Sequence, residues 1–237
     1  MLGMARIAPS DRLEQLIAAA AAAFVEHGFE RTQMDDIANR LGVSKGTIYR
    51  SVASKEALFA AVLIHADDPA PLSGVGALDP VEWSDLSVLL RDELARRVQS
   101  LGLASTVASR TRSTRPFVGD IGEEIAALTR GAYSMMAERR VAVMVLDRCA
   151  SEIPGITVGW YDHGRYALVD LWARYLDLRR EHISTAVEHD VLARTIVEII
   201  TLWAVKMPWD PAPRPYPHDL GEACAAMIRA LVTGGTP

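Results

Sequence analysis

Several features that define common protein classes are scarce in this sequence. Only two cysteines occur, Cys149 and Cys224, and they lie far apart and match no spacing of a metal-binding or disulfide framework. No apolar run approaches the ~20 residues needed to cross a membrane, because Glu198 and Lys206 interrupt the most apolar stretch. No signal peptide is recognisable at the start. We therefore expect a cytoplasmic protein without a membrane contact.

Combinations of residues that indicate an enzyme or a metal site are also missing. The six histidines form no HExxH pair, and His65 with Asp67 and Asp68 is more simply a polar helix end than a cation site. The segment 42–46 satisfies the G-x-S-x-G pattern of hydrolases. That pattern needs a strand before the serine, whereas a helix is predicted here. The sequence thus predicts no enzyme, no metal and no cofactor.

Charge is distributed unevenly along the chain. The net charge is −5, yet residues 1–55 carry seven Lys/Arg against six Asp/Glu, and the acidic excess lies in the remainder. Four basic residues stand within sixteen residues that contain no acid: Arg40, Lys45, Arg50 and Lys55. Because phosphate binding depends on local positive charge, this segment is the candidate for nucleic-acid binding.

Helical periodicity accounts for the N-terminal part of the sequence. A first helix over roughly 10–26 places one apolar stripe on a single face and stops at Gly28, where glycine permits a left-handed turn. The stripe consists of Leu13, Leu16, Ile17, Ala20 and Phe24. A second, short helix is predicted with Thr32 as its N-cap and Asp35 three residues on, and it ends at Gly42.

Two further helices complete a helix-turn-helix pattern. Ser44 is predicted to cap a third helix that runs to about Val52, and Ser54 to cap a fourth. A short helix, a glycine turn and another short helix allow the latter to enter the major groove. The residues expected to face inward are Ile37, Ala38, Leu41, Val43 and Ile48. Lys45, Gly46, Thr47, Tyr49 and Arg50 are expected to face outward, where lysine, arginine and threonine suit base edges and tyrosine suits a phosphate.

At this point the sequence resembles the tetracycline-repressor (TetR/AcrR) family over about residues 20–63. The matching elements, in order, are Phe-x-x-x-Gly-Phe, Asp-Asp-Ile-Ala, Gly-Val-Ser-Lys-Gly-Thr-Ile-Tyr and Ser-Lys-Glu-Ala-Leu. The family often has His or Tyr where this chain has Ser51, and Phe where it has Val52. The resemblance implies a dimeric repressor with its third helix in the major groove, a variable ligand-binding domain, and phosphate contacts from Tyr49 and Lys55.

The predicted DNA-binding residues are therefore those at and around this motif. Lys45 and Thr47 are expected to contact base edges, whereas Arg50 could contact either a base or a phosphate. The complete predicted set is Thr32, Gln33, Ser44, Lys45, Gly46, Thr47, Tyr49, Arg50 and Lys55. A helical protein-interaction bundle without DNA binding is the competing interpretation, but such a bundle would not need an acid-free basic stretch across its third helix.

A segment rich in proline and glycine separates the helix-turn-helix region from the remainder of the chain. Residues 67–80 contain three prolines and two glycines, so we predict a DNA-binding domain over 1–66 and a larger domain over 67–237. A helix restarting at Pro80 should run to about Ser100. Further helices are predicted over about 102–110, 120–137, 139–152, 157–183, 188–206 and 217–233. The predicted class is all-α: a three-helix helix-turn-helix domain joined to a helical ligand-binding and dimerisation domain.

The larger domain is rich in side chains that line helical pockets. Aromatic and methionine residues recur along its helices, and a small, largely apolar effector is expected among them. The residues nominated for that pocket are Trp83, Tyr133, Met136, Met144, Trp160, Tyr166 and Trp172. Arg110, Arg112 and Arg115 form a second basic cluster, and it could be a solvated loop, an anion site or an additional phosphate contact.

The last two predicted helices, about 188–206 and 217–233, carry apolar stripes. These stripes include Val191, Ile196, Ile199, Ile200 and Trp203, then Leu220, Ala223, Met227 and Leu231. The family resemblance implies that these helices pair with those of a second copy to form a homodimer. The expected partners are thus double-stranded operator DNA with two-fold symmetry, a second copy of the chain, and an unidentified small-molecule effector.

Overall fold

The computed structural model describes residues 9–68, 72, 77–113, 115–212, 215–216 and 219–234. Twelve α-helices account for most of this part of the chain, and no β-strand forms within it. One isolated parallel bridge joins Val52 to Leu78. The all-α prediction is confirmed. Within the same residues, no helix combines the length and apolar character that a bilayer crossing requires.

The chain divides into two compact units. The first contains Met1–Leu89 and Val141–Thr157, and the second contains Leu90–Arg140 and Val158–Pro237. The first unit therefore reaches beyond the predicted boundary at residue 66 and includes a later segment. Residues 69–71 and 73–76 of the predicted linker lie outside the described residues, as do residues 217 and 218 of the predicted last helix.

The first unit begins with four helices in the predicted order. They are α1 (Pro9–His27), α2 (Met34–Leu41), α3 (Lys45–Ile48) and α4 (Lys55–His65). Helix α1 packs against α2 and α4, and the stripe predicted on α1 is buried throughout. Gly28 follows α1 with φ +82°, and a Cβ atom there would overlap the Glu152 carboxylate. Gly28 is thus required by its backbone conformation, and a side chain there would also displace the Glu152 carboxylate.

Two predicted boundaries in this region are wrong. The N-cap of α2 is Gln33 rather than Thr32, because Gln33 and Asp36 exchange the reciprocal capping bonds. Helix α3 ends at Ile48, short of the predicted Val52. The helix does not continue because the backbone on either side of Val52 is hydrogen-bonded to Leu78. The Leu78 amide donates to the Ser51 carbonyl, and the Ala53 amide donates to the Leu78 carbonyl.

Later helices complete the core of the first unit. Helix α5 (Trp83–Ser100) begins three residues after the predicted Pro80, and its Trp83 joins a cluster with Phe24, Phe29 and Phe59 whose ring centroids are 5.2 to 5.9 Å apart. Helix α8 (Arg140–Cys149), a 3₁₀ turn (Ala150–Glu152) and α9 (Pro154–Val158) follow. The Asp67 carboxylate accepts hydrogen bonds from the amides of Val141 and Ala142, at 2.9 Å each.

The second unit is a helical bundle. Its helices are the later part of α5, then α6 (Gly102–Thr111), α7 (Ile121–Ala137), α10 (Tyr166–Leu178), α11 (His189–Thr201) and α12 (Leu220–Thr233). Helix α7 packs against α12, and α10 packs against α6 and α11. The largest side chains buried in this unit include Trp172, Tyr175, Ile125 and Ile196.

Two π-helical segments interrupt this unit, at Gly159–Arg165 and Leu202–Lys206. The prediction of one continuous helix over 157–183 is therefore wrong, and the helix predicted over 188–206 changes type after Thr201. An apolar period near 3.6 does not reveal an inserted wider turn. In the first segment, Gly164 lies so close to Leu94 that a Cβ atom would be 3.2 Å from its methyl carbon.

Candidate DNA-binding surface

A three-residue turn holds α3 against α2. Gly42 ends α2 with φ +65°, and the Val43 amide donates to the Ala38 carbonyl at 3.0 Å. Ser44 then caps α3, since its hydroxyl accepts from the Thr47 amide at 3.2 Å. The inward face is mostly as predicted: Ile37, Ala38 and Ile48 are buried, whereas Leu41 and Val43 are half-buried.

The opposite face of α3 presents polar side chains to solvent. Lys45, Gly46, Tyr49 and Arg50 are exposed, as predicted, and Tyr49 exposes 47% of its surface. The Thr47 hydroxyl links two neighbours: it lies 2.9 Å from the Ser44 hydroxyl and accepts from Arg50 Nη2 at 3.2 Å. Hydrogen bonds within the protein thus orient these side chains before any partner arrives.

Lys45 is held by an ion pair in the free protein. Its ammonium lies 3.0 Å from the Asp35 carboxylate of α2, and the hydrogen bond and charge of Asp35 raise the pKa of Lys45. Both side chains are largely exposed, so this pair is weak and exchangeable. A DNA phosphate or base edge reached by Lys45 would compete with Asp35 for the same ammonium.

The two predicted contact residues before α2 differ in their environment. Gln33 is exposed but caps its own helix. Thr32 is fully buried, and its hydroxyl donates to the carbonyls of Gly28 at 2.6 Å and Ala23 at 3.2 Å. A DNA contact by the Thr32 side chain is therefore ruled out in this conformation, because the hydroxyl closes the turn between α1 and α2.

Lys55 is placed differently from a phosphate-binding side chain. Its ammonium donates to the carbonyls of Phe29 at 2.8 Å, Thr32 at 3.1 Å and Glu30 at 3.4 Å, and it lies 4.3 Å from the centroid of the Phe29 ring. All three N–H donors of a lysine are thereby occupied. In this structure Lys55 fastens the turn after α1 to the start of α4.

Gly46 leaves open space on the exposed face of α3. A Cβ atom built there would meet only the Ser44 hydroxyl, at 3.9 Å, and the backbone is not left-handed. The fold therefore does not require glycine at this position. A closely approaching partner is a physical reason for glycine in a helix that alanine would favour.

A small cavity that the sequence did not indicate lies beside this surface. Its volume is about 320 Å³. It opens between α1 and α3 and is lined by Arg12, Gln15, Leu16, Leu41, Val43, Thr47, Ile48 and Ser51. Ser51 and Val43 are smaller than the residues that would fill it. Three residues predicted to face inward, Leu41, Val43 and Ile48, therefore line this cavity.

The seven residues nominated for a ligand pocket do not share one environment. Trp83 and Met144 belong to the first unit, and the other five belong to the second. Tyr166 is 48% exposed, so its side chain does not line an enclosed pocket. Trp160, Trp172 and Met136 are buried, and Tyr133 is half-buried, with burial raising the pKa of its phenol.

Buried polar atoms without a hydrogen-bond partner mark the second unit. They include the indole Nε1 atoms of Trp160 and Trp172 and the hydroxyl of Thr129. Such groups are costly to bury unless an acceptor or donor reaches them. Hydrogen-bonding atoms of a bound molecule would supply the missing partners of these groups. The predicted pocket list contained both tryptophans but not Thr129.

The remaining predicted groups are placed as follows. In the second basic cluster, Arg112 and Arg115 are exposed, and Arg110 donates to the Arg115 carbonyl at 3.2 Å. On the last two helices Val191, Leu202, Met227 and Leu231 are exposed, whereas Ile196 and Ile200 are fully buried and belong to the core. Within the described residues, no group of three or more metal-ligating side chains assembles.

Comparison with known proteins agrees with this surface. Residues 16–62 match the family described as bacterial regulatory proteins, tetR family. Over 58 residues the chain is 43% identical to the HTH-type transcriptional activator FasR of Mycolicibacterium smegmatis. The aligned segment covers 24% of this chain and 26% of that protein. The chain thus matches about a quarter of the length of this curated relative.

Solved structures extend the likeness in fold to the remaining residues. The ketosteroid transcriptional regulator KstR2 of Mycobacterium tuberculosis is 18% identical, with a TM-score of 0.53 and 98% of each chain covered. The TetR-family regulator SCO3833 of Streptomyces coelicolor is 18% identical, with a TM-score of 0.51, covering 100% of this chain and 96% of that one. The tetR-family match thus covers residues 16–62, and the solved structures show a similar fold for the chain as a whole.

Proposed function

We propose that this protein is a cytoplasmic transcriptional regulator that binds a two-fold symmetric operator as a homodimer and leaves it when a small, largely apolar ligand binds. The observation that carries this proposal is the exposed face of α3. Lys45, Tyr49 and Arg50 are exposed there or in the turn that follows, Thr47 is half-buried, and Gly46 has open space beside it. Lys45 and Thr47 contact base edges, Tyr49 contacts phosphate, and Arg50 contacts either.

Lys55 has a supporting role in this proposal. Because its ammonium is occupied by three backbone carbonyls, it holds the turn that precedes α2 and so fixes the position of the helix-turn-helix. A direct phosphate contact by Lys55 would require it to give up those bonds. The DNA-contacting set is therefore Gln33, Ser44, Lys45, Gly46, Thr47, Tyr49 and Arg50.

Dimerisation is proposed through α11, the π-helical segment after it and α12. Four large apolar side chains on these elements remain exposed in the single chain: Val191, Leu202, Met227 and Leu231. Apolar side chains that cluster on a surface usually mark an interface. Met227→Asp should yield a monomer in light scattering, whereas Val118→Asp, at an exposed apolar position outside the helices, should leave the dimer intact.

Ligand sensing is proposed for the second unit, whose buried Trp160, Trp172 and Thr129 have polar atoms without partners. A ligand that releases DNA must bind the released conformation better than the DNA-bound one, with a typical coupling of ~1–3 kcal/mol. Repression is the simplest role for a regulator that dissociates with its ligand. A reporter gene placed behind the operator measures whether regulation is negative or positive.

Selection of duplexes from random DNA by the full-length protein tests the proposal. The expected product is a pseudo-palindrome whose half-site centres lie ~34–36 Å, or a multiple of that distance, apart. Titration of the selected duplex and of a scrambled one, at several salt concentrations, then separates sequence recognition from charge attraction. Equal affinity for both duplexes, or selection without symmetry, would contradict the proposal.

A further inference from the structure

One arginine in the second unit is buried with too few partners. Arg179 ends α10, is 3% exposed, and donates from Nη2 to Oε1 of Glu124 at 2.6 Å. Its Nε and Nη1 atoms are buried and have no hydrogen-bond partner. Since Nε carries one hydrogen and Nη1 carries two, three N–H donors lack acceptors. Buried donors without acceptors are rare in folded proteins, so this group indicates a missing partner.

The neighbouring carboxylate is already engaged. Oε1 of Glu124 accepts from Arg179, and Oε2 accepts from the Tyr175 hydroxyl at 3.2 Å. Burial, and then the charge of Glu124, raise the pKa of Tyr175, so its phenol stays protonated and donates. Glu124 therefore balances the charge of Arg179 at one edge of the guanidinium, and the donors on Nε and Nη1 have no acceptor.

Phe117 covers this guanidinium. The Arg179 Cζ atom lies 3.9 Å from the centroid of the Phe117 ring, and that ring lies 5.1 Å from the ring of His182, which is exposed. Phe117 belongs to the short segment between α6 and α7, where the adjacent Val118 is 93% exposed. The aromatic face attracts the cation but offers no lone pair to the N–H groups. Displacement of the half-buried Phe117 side chain would open that side of the guanidinium.

The surroundings favour an anion with an apolar body. Arg115, which is exposed, lies two positions before Phe117 in the segment that covers Arg179. On the inner side, the Tyr175 ring packs 5.8 Å from the Trp172 ring. A carboxylate has two oxygens that accept several hydrogen bonds, and arginine matches its geometry.

We propose that Arg179 anchors the carboxylate of a largely apolar ligand, which enters in place of the Phe117 ring. The inference rests on the proposed function, because it names the chemical class of the effector. Glu124 acts as a positioning residue: it holds Nη2, so that the Nε and Nη1 donors face the ligand. Arg179 is the binding residue.

Calorimetry on the whole chain tests this site without DNA. The probe is 3-phenylpropionate, whose ring matches the side chain it displaces, and the control is its uncharged amide. The carboxylate should bind at least about tenfold more tightly, as expected for charge-assisted hydrogen bonds to arginine. Equal affinity of acid and amide, or binding of neither, would overturn the proposal.

Variants separate a binding role from a structural one. Phe117→Ala keeps the ion pair and opens the site, so the probe should associate faster and bind more tightly, whereas Val118→Ala in the same segment should change nothing. The double variant Glu124→Gln with Arg179→Gln replaces the ion pair by two amides and should abolish the preference for the acid. Unchanged binding in Phe117→Ala, or a preference that survives in the folded double variant, would overturn the proposal. If the double variant does not fold, binding to Phe117→Ala and the comparison of the acid with its amide still test the proposal.

Failure of the site and failure of the proposed function are distinguishable. A carboxylate that binds at Arg179 but leaves operator affinity unchanged supports the site and contradicts ligand-controlled release. Release of DNA by other ligands, without carboxylate binding, supports the proposed function and overturns the site.

Discussion

The two compact units carry the polar groups that a partner could reach in opposite places. In the first unit, polar groups that could receive a partner are on the surface, around Lys45, Tyr49 and Arg50. In the second unit they are inside: within the described residues, every buried side-chain polar atom that lacks a partner belongs to this unit. Those atoms belong to Arg110, Thr129, Trp160, Trp172 and Arg179.

This difference matches the two kinds of partner proposed above, a DNA duplex and a small molecule. A DNA duplex is a large, rigid, hydrated polyanion, so the groups that bind it must be exposed and can remain hydrated until contact. A small molecule surrounded by helices must supply hydrogen bonds where water is excluded, so its partners are buried and unpaired in the free protein. The contrast predicts that substitutions in the two units will separate DNA binding from stability and ligand binding.

The largest expected effect is on DNA affinity. The triple substitution Lys45→Ala, Tyr49→Ala and Arg50→Ala should weaken operator binding by on the order of 100-fold or more, because each charged contact contributes roughly a factor of ten. Thermal unfolding should change little, since the three side chains are exposed. Arg180→Ala, at an exposed position in the second unit, is the control. Wild-type affinity in the triple variant would remove α3 as the DNA-reading helix.

Lys55 should affect stability rather than salt dependence. Lys55→Met removes hydrogen bonds to three carbonyls and should lower the free energy of unfolding by about 2–3 kcal/mol. Lys45→Met, the exposed control, should leave unfolding unchanged but weaken DNA binding. Urea denaturation and salt titrations measure both. A stable Lys55→Met protein whose salt slope falls by about one would restore the phosphate contact implied by the family resemblance.

Two threonines test the contrast between satisfied and unsatisfied groups. Thr32→Val in the first unit deletes a hydroxyl with two acceptors and should destabilise by about 1–2 kcal/mol. Thr129→Val in the second unit deletes a buried hydroxyl without a partner and should stabilise by about 1 kcal/mol. Both substitutions preserve shape. Destabilisation by Thr129→Val would mean that its hydroxyl has an acceptor in the free protein.

A pair of glycines separates helix propensity from partner contact. Gly46→Ala in α3 and Gly131→Ala in α7 both place a methyl group in open space and should each stabilise the protein by up to ~1 kcal/mol. Only Gly46→Ala should weaken operator binding, because the added methyl group stands between α3 and the duplex. Equal DNA affinity in both variants would show that Gly46 is not approached closely.

The smallest effect concerns acid stability in the second unit. The hydrogen bond from His189, at 2.8 Å, lowers the pKa of Asp177 below its ordinary value of 3.8. A lowered carboxyl pKa contributes stability that is complete above that value and is lost as the pH falls through the lowered pKa. His189→Ala should therefore reduce stability slightly at pH 5, with the difference from wild type vanishing near pH 2. A difference that grows on acidification would contradict the assignment.

Much of the first unit follows from local sequence. The stripe on α1, the left-handed Gly28, the end of α2 at Gly42, and the caps Ser44 and Ser54 appear in the structure as predicted. These features depend on residues within a few positions of one another. The predictions that differ from the structure involve contacts between residues far apart in the chain. The bridge to Leu78 ends α3 early, and the Lys55 ammonium is hydrogen-bonded to carbonyls at and after Phe29.

What the sequence alone determined is the helical class and the outward set of residues on α3, because periodicity, capping and charge are properties of neighbouring positions. The tertiary structure decided which side chains are free to act. It buried Thr32, exposed Tyr166, separated Trp83 and Met144 from the other nominated residues, and left Arg179 with unpaired donors. Whether a buried polar atom has a hydrogen-bond partner depends on residues that are far away in the chain, as Glu124 is from Arg179. A local sequence pattern does not specify such pairs.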